Sequence, residues 1–217
     1  MAEVQIRNIL VGYGDLFVAE NRDENGELVD PAPTDPTVLP DFDTFDSLND
    51  AFSDAADWEY LGATQEGVEL AYEPEYGEVE IDQFGDAAVM FFERASVSLN
   101  TQLAEATLEN LIVAWGFEDS FLDIAGDTDT FSLGIQDGSP VERSVAVTGK
   151  GAAADDGSRR ERLYLGRRVL SVEGSSLALR RSENTAYPVT FRLLGHPEFA
   201  GAEYGQIIDR LPGEEVT

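Results

Sequence analysis

The chain has 217 residues, 42% of them hydrophobic and none of them cysteine, and its 43 acidic residues against 14 basic ones give a net charge of −29. That length and apolar share support one large or two small packed domains, and an aromatic content of 10% argues against a disordered acidic chain. The composition excludes a disulfide framework and thiolate chemistry, disfavours general nucleic-acid binding, and leaves no run of about 18 apolar residues to cross a membrane.

Lys150 is the sole lysine; the other bases, apart from one histidine, are arginines. In dilute buffer so one-sided a surface repels itself, whereas at 1 M salt the Debye length falls to about 3 Å and most of that repulsion is gone. Short carboxylates hold water and cations, while a lysine stem exposes apolar surface. The composition therefore reads as adaptation to molar salt. The charge is also uneven: residues 1–150 hold 33 acids and 5 bases, residues 151–217 hold 10 and 9.

Met1 to Leu10 reads as a short alternating strand rather than a signal peptide. Gly12 and Gly14 mark a turn between strands at Ile6–Val11 and Leu16–Ala19; no third glycine completes a dinucleotide fingerprint. Residues 21–57, with Pro31, Pro33, Pro36 and Pro40 among many acids, read as a long solvated loop inserted into a single domain spanning 1–217, with a helical turn near Ser47–Ala56.

A hairpin is expected over Val68–Gln83, turning at Pro74-Glu-Tyr-Gly77. In that register Glu73 faces Glu78, Ala71 faces Glu80 and Glu69 faces Asp82, while Tyr72, Leu70 and Val68 meet Val79, Ile81 and Gln83 on the other side. Like charges directly opposite destabilise a sheet. Two readings of this acidic face stand open: an exposed salt-adapted surface, or a lining that repels a polyanion.

Residues 87–99 read as a strand with Val89, Phe91, Ala95, Val97 and Leu99 on one face, broken by Glu93. A helix capped by Thr101 is expected to run to Trp115 and close at Gly116, with Leu103, Thr107, Leu108, Leu111, Ile112 and Trp115 as its stripe. Further strands are expected at Ser144–Thr148, Arg162–Glu173, Ser176–Arg181 and Pro188–Leu194. Gly174-Ser175 is a tight turn, and Thr148–Arg160 a glycine-rich loop.

Arginines gather at Arg159, Arg160, Arg162, Arg167, Arg168, Arg180 and Arg181. They decorate an antiparallel sheet, meet an acidic face of a neighbouring copy, or bind nucleic acid. Candidate catalytic groups are sparse. His196 precedes Pro197 and has no nucleophile motif to serve; Asp127 and Asp129 lack the glycine and distal glutamate of a calcium loop. No phosphate loop or histidine–cysteine metal cluster is present in the sequence, and neither an enzyme nor a cofactor is expected.

The run from Trp58 to Tyr72, with Gly62-Ala-Thr64-Gln-Glu-Gly67-Val68 leading into acidic alternation, resembles the tail-tube proteins of long-tailed viruses. So do Val79-Glu-Ile-Asp-Gln83, the helix segment Leu103–Leu111 and the late segment Leu179–Arg192. These anchors span about residues 58–115 and 177–210. The resemblance implies a mainly β fold: an antiparallel β-sandwich or partly rolled barrel with one flanking helix, as in contractile-tail and type VI secretion tube proteins. It also implies stacked six-fold rings forming a hollow tube in the virion tail, assembled in the host cytoplasm. Its partners would be further copies of itself, the tape-measure protein, tail-terminator and distal-tail proteins, and DNA as a repelled cargo. Joined to the salt adaptation, it points to a tailed virus of haloarchaea. On that reading Glu69, Glu73, Glu78, Glu80 and Asp82 face the lumen, and the seven arginines lie between subunits. The other open reading is a salt-adapted capsid-associated or surface β-sandwich that does not form tubes.

Overall fold

In the computed structural model, the described residues are 14–20, 47–55, 58–80, 87–105, 107–125, 128–134, 141–154, 157–171, 186–196 and 199–211. The expected strand at Met1–Leu10, the Gly12 turn, the Ser176–Arg181 strand and most of the 21–57 insertion lie outside them.

The described chain is mainly β. Its strands are β1 (Asp15–Glu20), β2 (Glu59–Glu80), β3 (Ala87–Leu103), β4 (Leu122–Ala125), β5 (Thr128–Phe131), β6 (Arg143–Ala153), β7 (Arg159–Ser171), β8 (Tyr187–Leu193) and β9 (Gly205–Arg210). Two helices, α1 (Leu48–Asp54) and α2 (Leu108–Trp115), accompany them. The main sheet has the order β6-β1-β2-β3-β8-β7-β9, and β7 also pairs with β6. Six strands thus roll into a closed ring of antiparallel pairs, with β9 added beside β7. The small β4–β5 pair stands apart.

Alternation along the strands builds the core. On β8, Tyr187, Val189, Phe191 and Leu193 are buried, and they sit opposite Leu103, Thr101, Leu99 and Val97 of β3. Leu16 and Val18 of β1 and Val145 and Val147 of β6 complete this cluster. The alternate residues Phe17, Ala19 and Ala146 face a second cluster under α1. There Phe52, fully buried, packs against Phe17 and Trp58 at ring-centroid distances of 5.3 and 4.9 Å. Burying one such ring contributes about 2–3 kcal/mol. Helix α1 matches the turn expected near Ser47: the Ser47 side chain accepts from the Asp50 amide, and Glu161 accepts from the Leu48 amide at 2.9 Å.

Helix α2 ends as expected at Trp115, with Gly116 in the left-handed region. Its start is corrected. Thr101 and Leu103 belong to β3, and the cap is Thr107, whose hydroxyl accepts from the Asn110 amide at 3.1 Å. The strand outcompetes the first helical turn because Thr101 and Leu103 pair with Val189 and Tyr187 in the core. Asn110, buried, donates to the Leu61 and Glu105 carbonyls and ties the helix to β2.

Two further expectations are corrected. The Thr148–Arg160 loop is mostly hairpin: Thr148 pairs with Leu163, Gly149 with Arg162 and Ala153 with Arg159. The hairpin expected to turn at Pro74–Gly77 does not turn there. β2 runs on through these residues, pairing Pro74 with Ala95 and Gly77 with Phe91, and the strand reverses only after Glu80. An edge strand tolerates a proline because its missing N–H need not enter a ladder.

The Gly-x-Thr-x-x-Gly segment has its own structural logic. The register slips between Thr64 and Val68, so β2 bulges there. Gly62 and Gly67 hold φ of 100° and 80°, values that favour glycine. Thr64, buried, donates its hydroxyl to the Gly14 carbonyl at 3.0 Å, and Thr101 donates to the Gly67 carbonyl at 2.8 Å. The bulge is therefore held from both sides.

Candidate functional site

β1 pairs with β2 only between Glu59 and Ala63, and β8 with β3 only from Val97 to Leu103. Among the described residues, Glu73–Glu80 and Ala87–Ser96 therefore form a two-stranded ribbon that leaves the barrel. Eight residues at about 3.4 Å each carry it roughly 25 Å. Its outer edges present backbone groups with no partner strand among the described residues, the arrangement that invites pairing with another chain.

The two faces of this ribbon differ at its base. On the side turned from the core, Glu69 sits opposite Asn100, Ala71 opposite Ser98 and Glu73 opposite Ser96, and β8 extends the row with Thr190 and Arg192. Next outward, Arg94 donates from Nε to Glu75 at 2.6 Å, and that hydrogen bond holds the Glu75 carboxyl below its ordinary range. The core side carries Leu70 against Leu99 and Tyr72 against Val97. These four border an apolar groove of about 220 Å³ with Leu193, Tyr204 and Ile207.

A bulge reverses β3. Glu75 pairs with Arg94 but Tyr76 pairs with Phe92, so Glu93 is the extra residue. Val89 and Phe91 therefore leave the face of Val97 and Leu99 on which alternation had put them, and both are exposed. Beyond the bulge, Tyr76–Phe92 and Glu78–Met90 continue the core-side face, and Gly77–Phe91 and Val79–Val89 the other.

This register corrects the five-carboxylate face. Glu69 and Glu73 share the outer face, but on an unbroken strand Glu78 falls on the opposite one, with Tyr76. Glu80 ends β2 opposite Ala87, and Asp82 lies outside the described residues. The face is also mixed in sign, since Arg192 and the Glu75–Arg94 pair lie on it.

The arginines divide. Arg159 and Arg160 are exposed near the β6–β7 turn. Arg162 pairs with Asp209 through two hydrogen bonds of 2.6 and 2.7 Å, and Arg168 reaches Glu142 at 2.7 and 2.9 Å. Arg167 is 1% exposed, donates to the Ala202 carbonyl, and sets its guanidinium carbon 4.2 Å from the centre of the Phe199 ring. Arg162, Arg167 and Arg168 thus have partners within the chain itself, and the burial of Arg167 takes it out of its expected place between subunits. Arg180 and Arg181 lie outside the described residues. Sequence reading missed the partners Glu142 and Asp209 because each pair spans 26 or 47 residues. The signal it did offer for the ribbon was the unbroken apolar run Val89–Phe92, which fits neither a loop nor a one-sided strand.

His196 is buried, its ring edge-on to Phe199 at 5.0 Å, in the role of a packed loop residue. Among the described residues no group of three or more acidic, histidine or cysteine side chains is gathered as a metal site requires. No described helix is long and apolar enough to cross a membrane. No family model matches the chain, and no curated protein matches it.

Proposed function

We propose that this chain is the structural subunit of a viral tail tube, assembling in high salt into stacked homomeric rings around a channel that encloses a tape-measure protein and later conducts DNA. The observation that carries the reading is the ribbon: a rolled antiparallel barrel with a flanking helix extends two strands about 25 Å beyond their pairing with β1 and β8, and among the described residues neither edge has a partner strand. A strand pair in that state is completed by a neighbour, and a ring of such neighbours makes a continuous wall. The resemblance of residues 58–115 and 177–210 to tail-tube proteins supplies the biological setting, and the acidic, lysine-poor composition supplies the halophilic host. The outer face with Glu69 and Glu73 is the channel side in this reading, since at the base of the ribbon Ala71, Ser96, Ser98, Asn100 and Thr190 beside them are small or polar and turn from the core.

Electron microscopy of the purified chain in molar salt tests this. Rings or tubes of uniform diameter are expected. A strictly monomeric particle at high concentration overturns the reading.

A further inference from the structure

β8 parts from β3 at a definite rung. Val97 pairs with Leu193, and beyond that pair β3 has no strand on this side among the described residues. Leu193 also pairs with Val169 of β7, and the Leu194 amide donates to the Arg168 carbonyl at 2.7 Å. Backbone groups point to alternate sides along a strand, so Leu194 turns its amide to β7 and Leu193 turns its own to Val97. Ala95, two residues from Val97, therefore points its carbonyl to the same side, into the place where a continued β8 would have brought the amide of Gly195.

The chain takes Gly195 elsewhere. Its carbonyl accepts from Arg168 Nη1 at 3.0 Å, and Arg168 is itself held by Glu142. The His196 amide then donates to the Glu203 carbonyl at 2.8 Å and ties the two ends of the β8–β9 connection together. Arg167, buried on β7, donates to the Ala202 carbonyl of that connection and lies on its Phe199 ring. Gly205, at a φ of 143°, lets β9 set its backbone against β7, where an added Cβ would overlap the Leu165 carbonyl. These contacts place Tyr204 with its ring against the main core cluster, beside Tyr72 and Val97 in the apolar groove. Its hydroxyl donates to the Ala95 carbonyl at 3.2 Å. A side chain 109 residues away thus fills the acceptor that β8 leaves open.

We propose that Tyr204 is a positioning residue that latches the root of the ribbon to the barrel and so sets the direction in which the ribbon leaves it. Ala95 stands at that root, opposite Pro74, and the bulge at Glu93 lies two residues further out. A bulge bends and twists its strand, so the root is where the ribbon's direction is decided. The Tyr204 hydroxyl gives this bent, exposed ribbon a fixed point outside its own ladder. If ribbons join copies in the assembly proposed above, the latch makes every ribbon leave its barrel at the same angle. That consequence rests on the assembly reading; the latch itself does not.

Amide exchange of the single chain in molar potassium chloride, below the concentration of assembly, tests this with Tyr204→Phe, which removes the hydroxyl and keeps the ring. Glu73 and Ser96, then Glu75 and Arg94, face one another across the ribbon root, so their amides report its opening. They are expected to exchange about five- to tenfold faster, the weight of one hydrogen bond, while amides of β1, β6 and β7 keep parental rates. The carbonyl carbon resonance of Ala95 is expected to shift with the loss of its donor. Parental exchange at those four amides overturns the latch. So does a uniform rise through the barrel, which would make Tyr204 a packing residue. Absence of rings by microscopy overturns the assembly reading alone; the rates, measured on the single chain, decide the latch either way.

Discussion

Arg162 on β7 and Asp209 on β9 form a two-pronged ion pair, Nε to Oδ1 at 2.6 Å and Nη2 to Oδ2 at 2.7 Å, with both side chains 24% exposed. Among the described residues β9 pairs only with β7, from Gly205 to Arg210, so this contact and the Arg210–Glu161 bridge at 3.1 Å fasten a strand that has no second neighbour there. The hydrogen bond from Arg162 is the leading cause that holds the Asp209 carboxyl below its ordinary value of 3.8, and the charges of Arg162 and Arg160 add to it. A carboxyl depressed by folding contributes stability above its unfolded pKa and loses it as pH falls through the folded value. The stabilisation is therefore complete at neutral pH and disappears below the ordinary aspartate range. Asp209→Asn is expected to cost about 1 kcal/mol at neutral pH and to quicken amide exchange along 205–210. Unchanged exchange in that strand contradicts the fastening role.

Arg167 makes a sharper distinction between a subunit's own packing and an interface. Its guanidinium lies over Phe199, it donates to the Ala202 carbonyl, and it is among the most buried large side chains described. Truncation removes a stacked cation and leaves a cavity, so Arg167→Ala is expected to cost about 3 kcal/mol. Arg167→Lys does not restore it, because an ammonium cannot lie flat on a ring. Denaturant melts in molar salt read this directly. A variant that melts like the parent but fails to assemble would return Arg167 to the interface.

Salt should govern the whole molecule. Glu161 and Asp209 are held by arginines of the last third of the chain, whereas residues 1–150 carry 33 acids with 5 bases, Glu75 and Glu142 among the acids that an arginine does reach. Lowering ionic strength from molar to about 10 mM lengthens the screening distance from about 3 to 30 Å. Repulsion then acts across the ribbon and β2, and loss of the β signal in circular dichroism or of assembled mass is expected. A chain whose spectrum and particle size stay constant over that range is not adapted to salt.

How far the residues themselves announced this structure depends on the element. The strands at β1, β6, β7 and β8 follow from alternation, and the end of α2 follows from Trp115-Gly116, because these signals act within a few residues of where they occur. The hairpin turn was misplaced because Pro74 and Gly77 carry turn chemistry locally, while β3 offers each of them a partner 14 to 21 residues away. The start of α2 was misplaced because Thr101 and Thr107 are equally good caps; the choice is made by Val189 and Tyr187, about 90 residues on. The acidic face inherited the turn error. Moving the reversal beyond Glu80 leaves Glu69 and Glu73 together and sends Glu78 across the sheet, since side chains alternate with period two.

That revised face gives the last prediction. If the outer side of β2, β3 and β8 lines a channel, each subunit offers Glu69 and Glu73 to it among Ala71, Ser96, Ser98, Asn100 and Thr190, with Arg192 and the paired Glu75–Arg94 as its only bases there among the described residues. DNA carries one negative charge per about 1.7 Å of its axis, and the base of the ribbon, where small polar side chains surround Glu69 and Glu73, gives it little to hold. At 1 M salt the repulsion reaches only about 3 Å, which suffices where the cargo slides in near contact. Replacing Glu69 and Glu73 by arginine converts every ring to a cationic collar while leaving the Tyr76–Phe92 face untouched. Tubes of normal diameter are expected to form, since both side chains are exposed and lie off the core, and genome delivery by a virus carrying them is expected to slow or stall. Ejection kinetics in molar salt measure this. Delivery at the parental rate from well-formed tubes would remove the carboxylates from the conduit.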